Sequence, residues 1–321
     1  MTSIVGHDAA QAALRTAWDS GRMPHAWMLS GPAGIGKATL AARFAAFVLC
    51  GGQGGAGLFG VGDDPLPVPA DHPALALIAA GSHPDLRILK REPNERGALR
   101  KEITVEQVRQ LAPFFGIAAD GWRVVIIDAL EEMNRAAANA LLKMLEEPPA
   151  RTLFLGVSHA PGRLLPTIRS RVRALALKPL RDDQVAQVLA QHGQPGTLAA
   201  LAEGSPGQAL RYAGLDVAAL EQSLDRLAGP DADAALHQLA TSLGGAAAQA
   251  RFEAFLDLAC RRIALACTSL RGPALAEGLA LWEKARALAG EAAPLALDAR
   301  LVVLELGGGL RDLAALPKRS A

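Results

Sequence analysis

The chain has 321 residues, half of them apolar, so it is long enough for two or three domains with substantial cores. The formal net charge is only +1, which excludes a chain that grips DNA unaided through a broad basic stripe. No apolar run reaches the roughly 18 residues needed to cross a bilayer. The start, MTSIVGHDAAQ, lacks a charged region followed by an apolar one. The expectation is a cytoplasmic protein with no signal peptide and no membrane partner.

In chain order, Asp8 to Ser20 has helical spacing. Ala26 to Gly31 (AWMLSG) is a short apolar strand ending in a glycine loop, and Lys37 to Leu49 is again helical. Residues 51–85 break this rhythm with Gly, Pro and Ala, and read as a surface excursion holding one short helix near Ala74 to Ala80. Thr104 and Gln107 have capping-box spacing, which starts a helix running to Phe115. Trp122 to Leu130 (WRVVIIDAL) is a continuous β-branched run, the pattern of a strand buried on both faces. Asn134 to Leu145 is helical, Thr152 to Ser158 is a strand, and Arg173 to Leu180 alternates as a further strand. Strands alternating with helices mean an α/β domain with a parallel sheet covered on both faces. Beyond about Lys178 the strand signal fades into short helices with glycine stops. From Val217 onward, Ala/Leu segments with helical spacing dominate. The three cysteines, Cys50, Cys260 and Cys267, are too few and too unevenly spaced for a disulfide framework, and buried thiols are expected.

The stretch LSGPAGIGKATL carries Gly-x-x-x-x-Gly-Lys from Gly31 to Lys37, between a strand and a helix. In that setting Gly31, Gly34 and Gly36 let backbone N–H groups turn toward phosphate oxygens, and Lys37 reaches the outer phosphates. The next position is Ala38, where the motif needs a hydroxyl for Mg²⁺. Thr39 follows, but one helical residue turns a side chain by about 100°, so Thr39 is not expected to take that place. Asp128, at the end of its strand, sits where a nucleotide hydrolase keeps a metal-binding carboxylate. Such hydrolases follow it with a glutamate that activates water, and here that residue is Ala129. Glu131 and Glu132 read as the solvated start of a helix.

Taken together, VGHDAAQAALRTAWDSGRMPHAWMLSGPAGIGK, GSHPDL, NRAAANALLKMLEEPPARTLFLGVS and LLPTIRSRVR resemble the bacterial clamp-loader subunits of the AAA+ class. The likeness covers about the first 210 residues, and NALLKMLEEPP is its most specific stretch. It implies a RecA-like domain over 1–178, in which 51–85 is a degraded zinc module, then a helical lid over 179–214 and a helical collar over 215–321. It also implies partners: motor subunits, a delta-type subunit, and through them a sliding clamp and primer-template DNA, all within a DNA-directed DNA polymerase holoenzyme, a nucleotidyltransferase.

Within this family some subunits hydrolyse ATP, while others act as stators that donate an arginine to a neighbour's site. The family's Ser-Arg-Cys motif reads Ser170-Arg171-Val172 here, so the resemblance makes Arg171 the arginine finger; by itself an arginine in RSRVR is a surface charge. Motor subunits carry a sensing arginine in a Gly-Ser-x-Arg context, and this chain has Gly204-Ser205-Pro206-Gly207. Ser158 falls at another polar sensor position. Many relatives bind zinc with cysteines in the excursion; the matching positions here are Cys50, Pro69, His72 and Leu75, too few ligands for a tetrahedral site. The expectation is a non-hydrolysing stator that needs no cofactor and holds no zinc or other metal, with weak ATP or ADP binding left open. The alternatives are an active motor using Thr39 and, remotely, a small-molecule P-loop kinase. Arg100, Lys101, Arg169, Arg171 and Arg173 are candidate DNA contacts by charge alone.

Overall fold

A computed structural model describes residues 4–52, 64–95, 97, 99–116, 121–292 and 297–315. The glycine-rich part of the excursion, residues 53–63, therefore lies outside the described residues. The chain divides into two compact units, Met1–Leu210 and Arg211–Ala321.

The first unit is built on a five-stranded sheet: β1 (Ala26–Ser30), β2 (Leu86–Lys90), β3 (Arg123–Asp128), β4 (Thr152–Ser158) and β5 (Arg173–Ala176). Their order is β2-β3-β4-β1-β5, and every pairing is parallel. Strand β3 shows why its sequence is uninterruptedly apolar. Val124 and Ile126 enter one core with Leu14, Leu40 and Phe44, from α1 (Asp8–Asp19) and α2 (Lys37–Leu49). Val125 and Ile127 enter the opposite core with Val108, Phe114 and Leu141. That second core is supplied by α4 (Val105–Arg109), α5 (Leu111–Gly116) and α6 (Arg135–Glu146), while α3 (Pro73–Ala79) lies in the excursion. With a side-chain period of two and helices on both faces, the middle of the strand, Val124 to Ile127, is apolar on both sides.

The structure corrects the expectations from sequence in four places. Strand β2 is an addition: it is a five-residue edge strand whose Arg87, Ile88 and Lys90 are exposed, so its pattern lacks the continuous apolar signature. The helix expected from Thr104 to Phe115 is two pieces. Gln107 does reach back to the Thr104 N–H (2.9 Å), but Pro113 has no N–H to continue the ladder. Strand β5 ends at Ala176 rather than Leu180. The cysteines are half-buried and unpaired rather than fully buried.

A short helix α7 (Pro166–Arg169) precedes β5, and α8 (Asp182–Gln191) and α9 (Pro206–Tyr212) follow it. Leu180, Val185, Leu189, Ala199, Ala202 and Ala209 form a small core of their own. The second unit contains α10 (Val217–Arg226), α11 (Ala232–Leu243), α12 (Gln249–Thr268), α13 (Gly272–Glu291) and α14 (Ala299–Ala315). Leu220, Leu239, Phe255, Leu258 and Val303 are fully or almost fully buried there. Arg262 ties α12 to α10 through Glu221 and through Asp225 at 2.7 Å. Among the described residues, no helix is long and apolar enough to cross a membrane.

Candidate functional site

The loop between β1 and α2 runs over the C-terminal edge of the sheet, the edge where ligands of open α/β sheets bind. Gly31, Gly34 and Gly36 have φ of 147°, 75° and 101°, values that side-chain-bearing residues avoid. Among the described residues, the N–H groups of Gly34, Ile35, Gly36 and Lys37 have no protein acceptor. Successive free N–H groups at the start of a helix make an anion cradle, so the residues present fit a phosphate. Lys37 is 2% exposed, and its ammonium donates to the carbonyls of Gly31 (2.7 Å) and Pro32. Two of its three hydrogens hold the loop in shape, which leaves one for a ligand.

Burial lowers the Lys37 pKa from its usual 10.5 to about 8, against the opposing pull of Glu131 and Asp128. The sign of the pH dependence follows. Below about 8 the amine is charged in both folded and unfolded chains, and folding bears the full cost of burying it. Between about 8 and 10.5 the unfolded chain holds a proton that the folded chain has released, so stability rises with pH. Anion binding that needs the ammonium moves the other way. Affinity for ADP or inorganic phosphate is expected to fall about tenfold per pH unit above 8. Titrations at pH 7 and pH 9 check this, and equal affinities would remove Lys37 from the site.

A cavity of about 600 Å³ opens beside the cradle, lined by Lys37, Thr39, Asp128, His159, His192 and Gly207 among others. The structure thus gathers Gly34, Gly36, Lys37, Thr39 and Asp128 at one place, while Thr39 stays exposed. Ala38 also lines the cavity, without a hydroxyl, and Ala129 is buried.

Two expectations are corrected here. Glu131 is not a solvated charge. Its Oε1 accepts from the backbone N–H groups of His159 (2.5 Å) and Ala160 (3.1 Å), tying the ends of β3 and β4 together. Glu132 is ion-paired with Arg91 at 2.9 Å. Ser158 does not line the cavity: it is completely buried, whereas Val157 and His159 on either side do line it. Strand alternation puts neighbours on opposite faces, so a count along the chain selects the wrong side. The histidines His7, His159 and His192 escape a reading of the sequence. For His7 a signal exists, since it stands directly before α1, and its Nε2 bonds the Ile35 carbonyl at 2.7 Å.

Arg171 lies away from this cavity, just past α7. Its guanidinium donates to the Thr167 carbonyl (3.0 Å) and pairs with Glu146 (2.7 Å) at the end of α6. A third of its side-chain surface remains exposed. Val172 is half-buried against the α6 core. Of the charges considered for DNA, Arg100, Lys101 and Arg169 are exposed, and Arg173 lies over the Trp27 ring at 4.7 Å.

A family model described as DNA polymerase III, delta subunit, matches residues 6–181. The chain belongs to this family. It is 46% identical over 149 residues to DNA polymerase III subunit delta' of Pseudomonas aeruginosa, an alignment taking in 46% of this chain and 41% of that protein. The subunit delta' of Escherichia coli is 31% identical over 210 residues, covering 61% and 57% of the two chains. The gamma/tau subunit of Mycobacterium tuberculosis is 32% identical over 190 residues, covering 59% and 30%. The likeness to clamp-loader subunits is thereby confirmed, and its delta-prime character with it. The chain spans less than half the length of the Pseudomonas relative. Among solved structures, a DNA polymerase III gamma subunit-related protein from Thermotoga maritima superposes with a TM-score of 0.50 at 14% identity, over 95% of this chain and 99% of that one. At that identity the superposition bears on fold alone, and it agrees with an AAA+ domain followed by helices.

Proposed function

We propose that this chain is the delta-prime subunit of a DNA polymerase III clamp loader, a stator that does not hydrolyse ATP. The observation that carries the reading is a phosphate cradle kept intact beside three missing groups. Ala38 offers no hydroxyl to magnesium, Ala129 no carboxylate to water, and Gly207 no cation to a γ-phosphate. A bound nucleotide would be held by the loop N–H groups and by Lys37, with Asp128 alone facing any metal. In this reading the loss of the glutamate at position 129 that would activate water means occupancy does not lead to cleavage.

Arg171 is the group this chain contributes to chemistry, in a neighbouring subunit's ATP site. Its planar fork suits two phosphate oxygens at once. The other partners are the motor subunits, a delta-type subunit, the sliding clamp and primer-template DNA, the last two engaged through the complex. A lid over 179–214 and a collar over 215–321 belong to the same reading.

The excursion carries no zinc in this reading. Pro69 and Leu75 cannot ligate, and the His72 Nδ1 already accepts from the Ala74 N–H at 3.2 Å.

The test is phosphate release from the purified chain with ATP and magnesium. The expected result is a rate indistinguishable from buffer. Magnesium-dependent turnover abolished by Lys37→Ala would establish instead an active motor using Thr39.

A further inference from the structure

The five carbonyl groups from Gly31 to Ile35 are all taken, and two of them are taken by the segment at the start of α9. Lys37 holds those of Gly31 and Pro32, and His7 holds that of Ile35. The Ser205 hydroxyl donates to the Ala33 carbonyl at 3.0 Å, and the Gly207 N–H donates to the Gly34 carbonyl at 2.9 Å. Ser205 is itself buried, and its backbone and hydroxyl oxygens both accept from the Gln208 N–H, at 3.0 and 3.2 Å.

The approach is as close as two backbones allow. A Cβ on Gly207 would stand 2.9 Å from the Gly34 Cα and 3.0 Å from the Gly34 oxygen, and both of those atoms are backbone. A Cβ on Gly34 would collide with the Ser205 hydroxyl. No flexible side-chain end is available to move aside at position 207, so any side chain there pushes the two segments apart. Pro206, between the two donors, adds a fixed φ and so fewer alternative paths for the segment.

We propose that Ser205-Pro206-Gly207 is a clasp that locks the helices after β5 onto the phosphate loop, and that the bare backbone at 207 is what lets it close. The glycine is then a positive feature as well as a lost cation. It exchanges a side chain that could reach into the cavity for a direct backbone bond to the loop. The start of α9 is thereby held directly against the phosphate loop. The clasp goes beyond the stator reading and rests on loop geometry alone.

Amide hydrogen exchange on the full chain, read by NMR at Gly207, Gln208 and Ala209, tests it. Gly207→Ala is expected to speed exchange at these amides by about tenfold or more, and Ser205→Ala by several-fold, since each removes or displaces a bond of the clasp. Amides of α12 in the second unit should keep their rates. Gly162→Ala, where an added Cβ meets nothing within 4 Å, is the control and should change none of them. Should Gly207→Ala not fold, Ser205→Ala, which deletes one hydroxyl, decides alone. Wild-type exchange rates at Gly207 to Ala209 in Ser205→Ala, or in both variants, would overturn the clasp. The outcome is independent of Arg171, whose role is read in turnover by the assembled complex.

Discussion

If Arg171 is the finger of the proposed stator, Arg171→Ala is expected to leave the chain folded and able to join a clamp-loader complex while slowing ATP cleavage at one neighbouring site by about 10³-fold or more. The magnitude comes from the work the guanidinium does. Charge that builds on the transferring phosphate is neutralised by a rigid fork of donors, and alanine leaves it bare. The stability cost is small because the Glu146 pair is partly exposed on both sides, with side chains 34% and 48% accessible. Pairs of that kind contribute no more than about 1 kcal/mol. Lys at this position keeps the charge and loses the fork, so Arg171→Lys should recover only part of the rate. The measurement is single-turnover hydrolysis by the reconstituted complex, alongside a thermal melt of the isolated variant. A full rate with alanine would remove Arg171 from the mechanism.

The second large effect falls on stability. Phe44→Ala is expected to cost about 3–5 kcal/mol, the range for emptying an aromatic site in a packed core. Phe44 is completely buried on α2, stacks with Phe47 at 6.0 Å, and packs in the core with Leu14, Ile126 and Leu155. Because α2 opens at the phosphate cradle, loosening it loosens the Gly31–Lys37 loop as well. Urea titration followed by tryptophan fluorescence in a Trp282→Phe background reads the first unit, since Trp18, Trp27 and Trp122 all lie in it. Leu77→Ala, on α3 of the same unit and 42% exposed, is the control and should stay within about 0.5 kcal/mol of the parent. A similar loss in both variants would mean that the packing around Phe44 is not what holds α2.

Several features are legible from local pattern alone. The strands β1, β3 and β4 declare themselves because burial on both faces fills the middle of each run with apolar residues and confines polar ones to its ends. The Gly31–Lys37 loop is legible because glycine and lysine at fixed intervals are what a phosphate cradle requires. The substitution at Ala38 is plain from the loop motif itself, whereas those at Ala129 and Gly207 show only against the motifs of related nucleotide hydrolases, the second through the family resemblance. Strand β2 is illegible for the converse reason: an edge strand can expose one side and half its residues, so its five positions look like a charged loop.

The sequence by itself determined the phosphate loop with its lysine and the absence of a hydroxyl at Ala38; the reading of Arg171 as a finger came from the family resemblance. Only the tertiary structure decided how those residues are used. It turned Glu131 from a solvated charge into a tie between two strand ends, and placed Ser158 in the core with His159 beside the cavity. It also set Gly207 directly against Gly34, from a distant part of the chain. The physical reason is that periodicity and spacing report on forces along the chain. A contact between distant backbones depends on how two elements pack, and no local pattern encodes that distance.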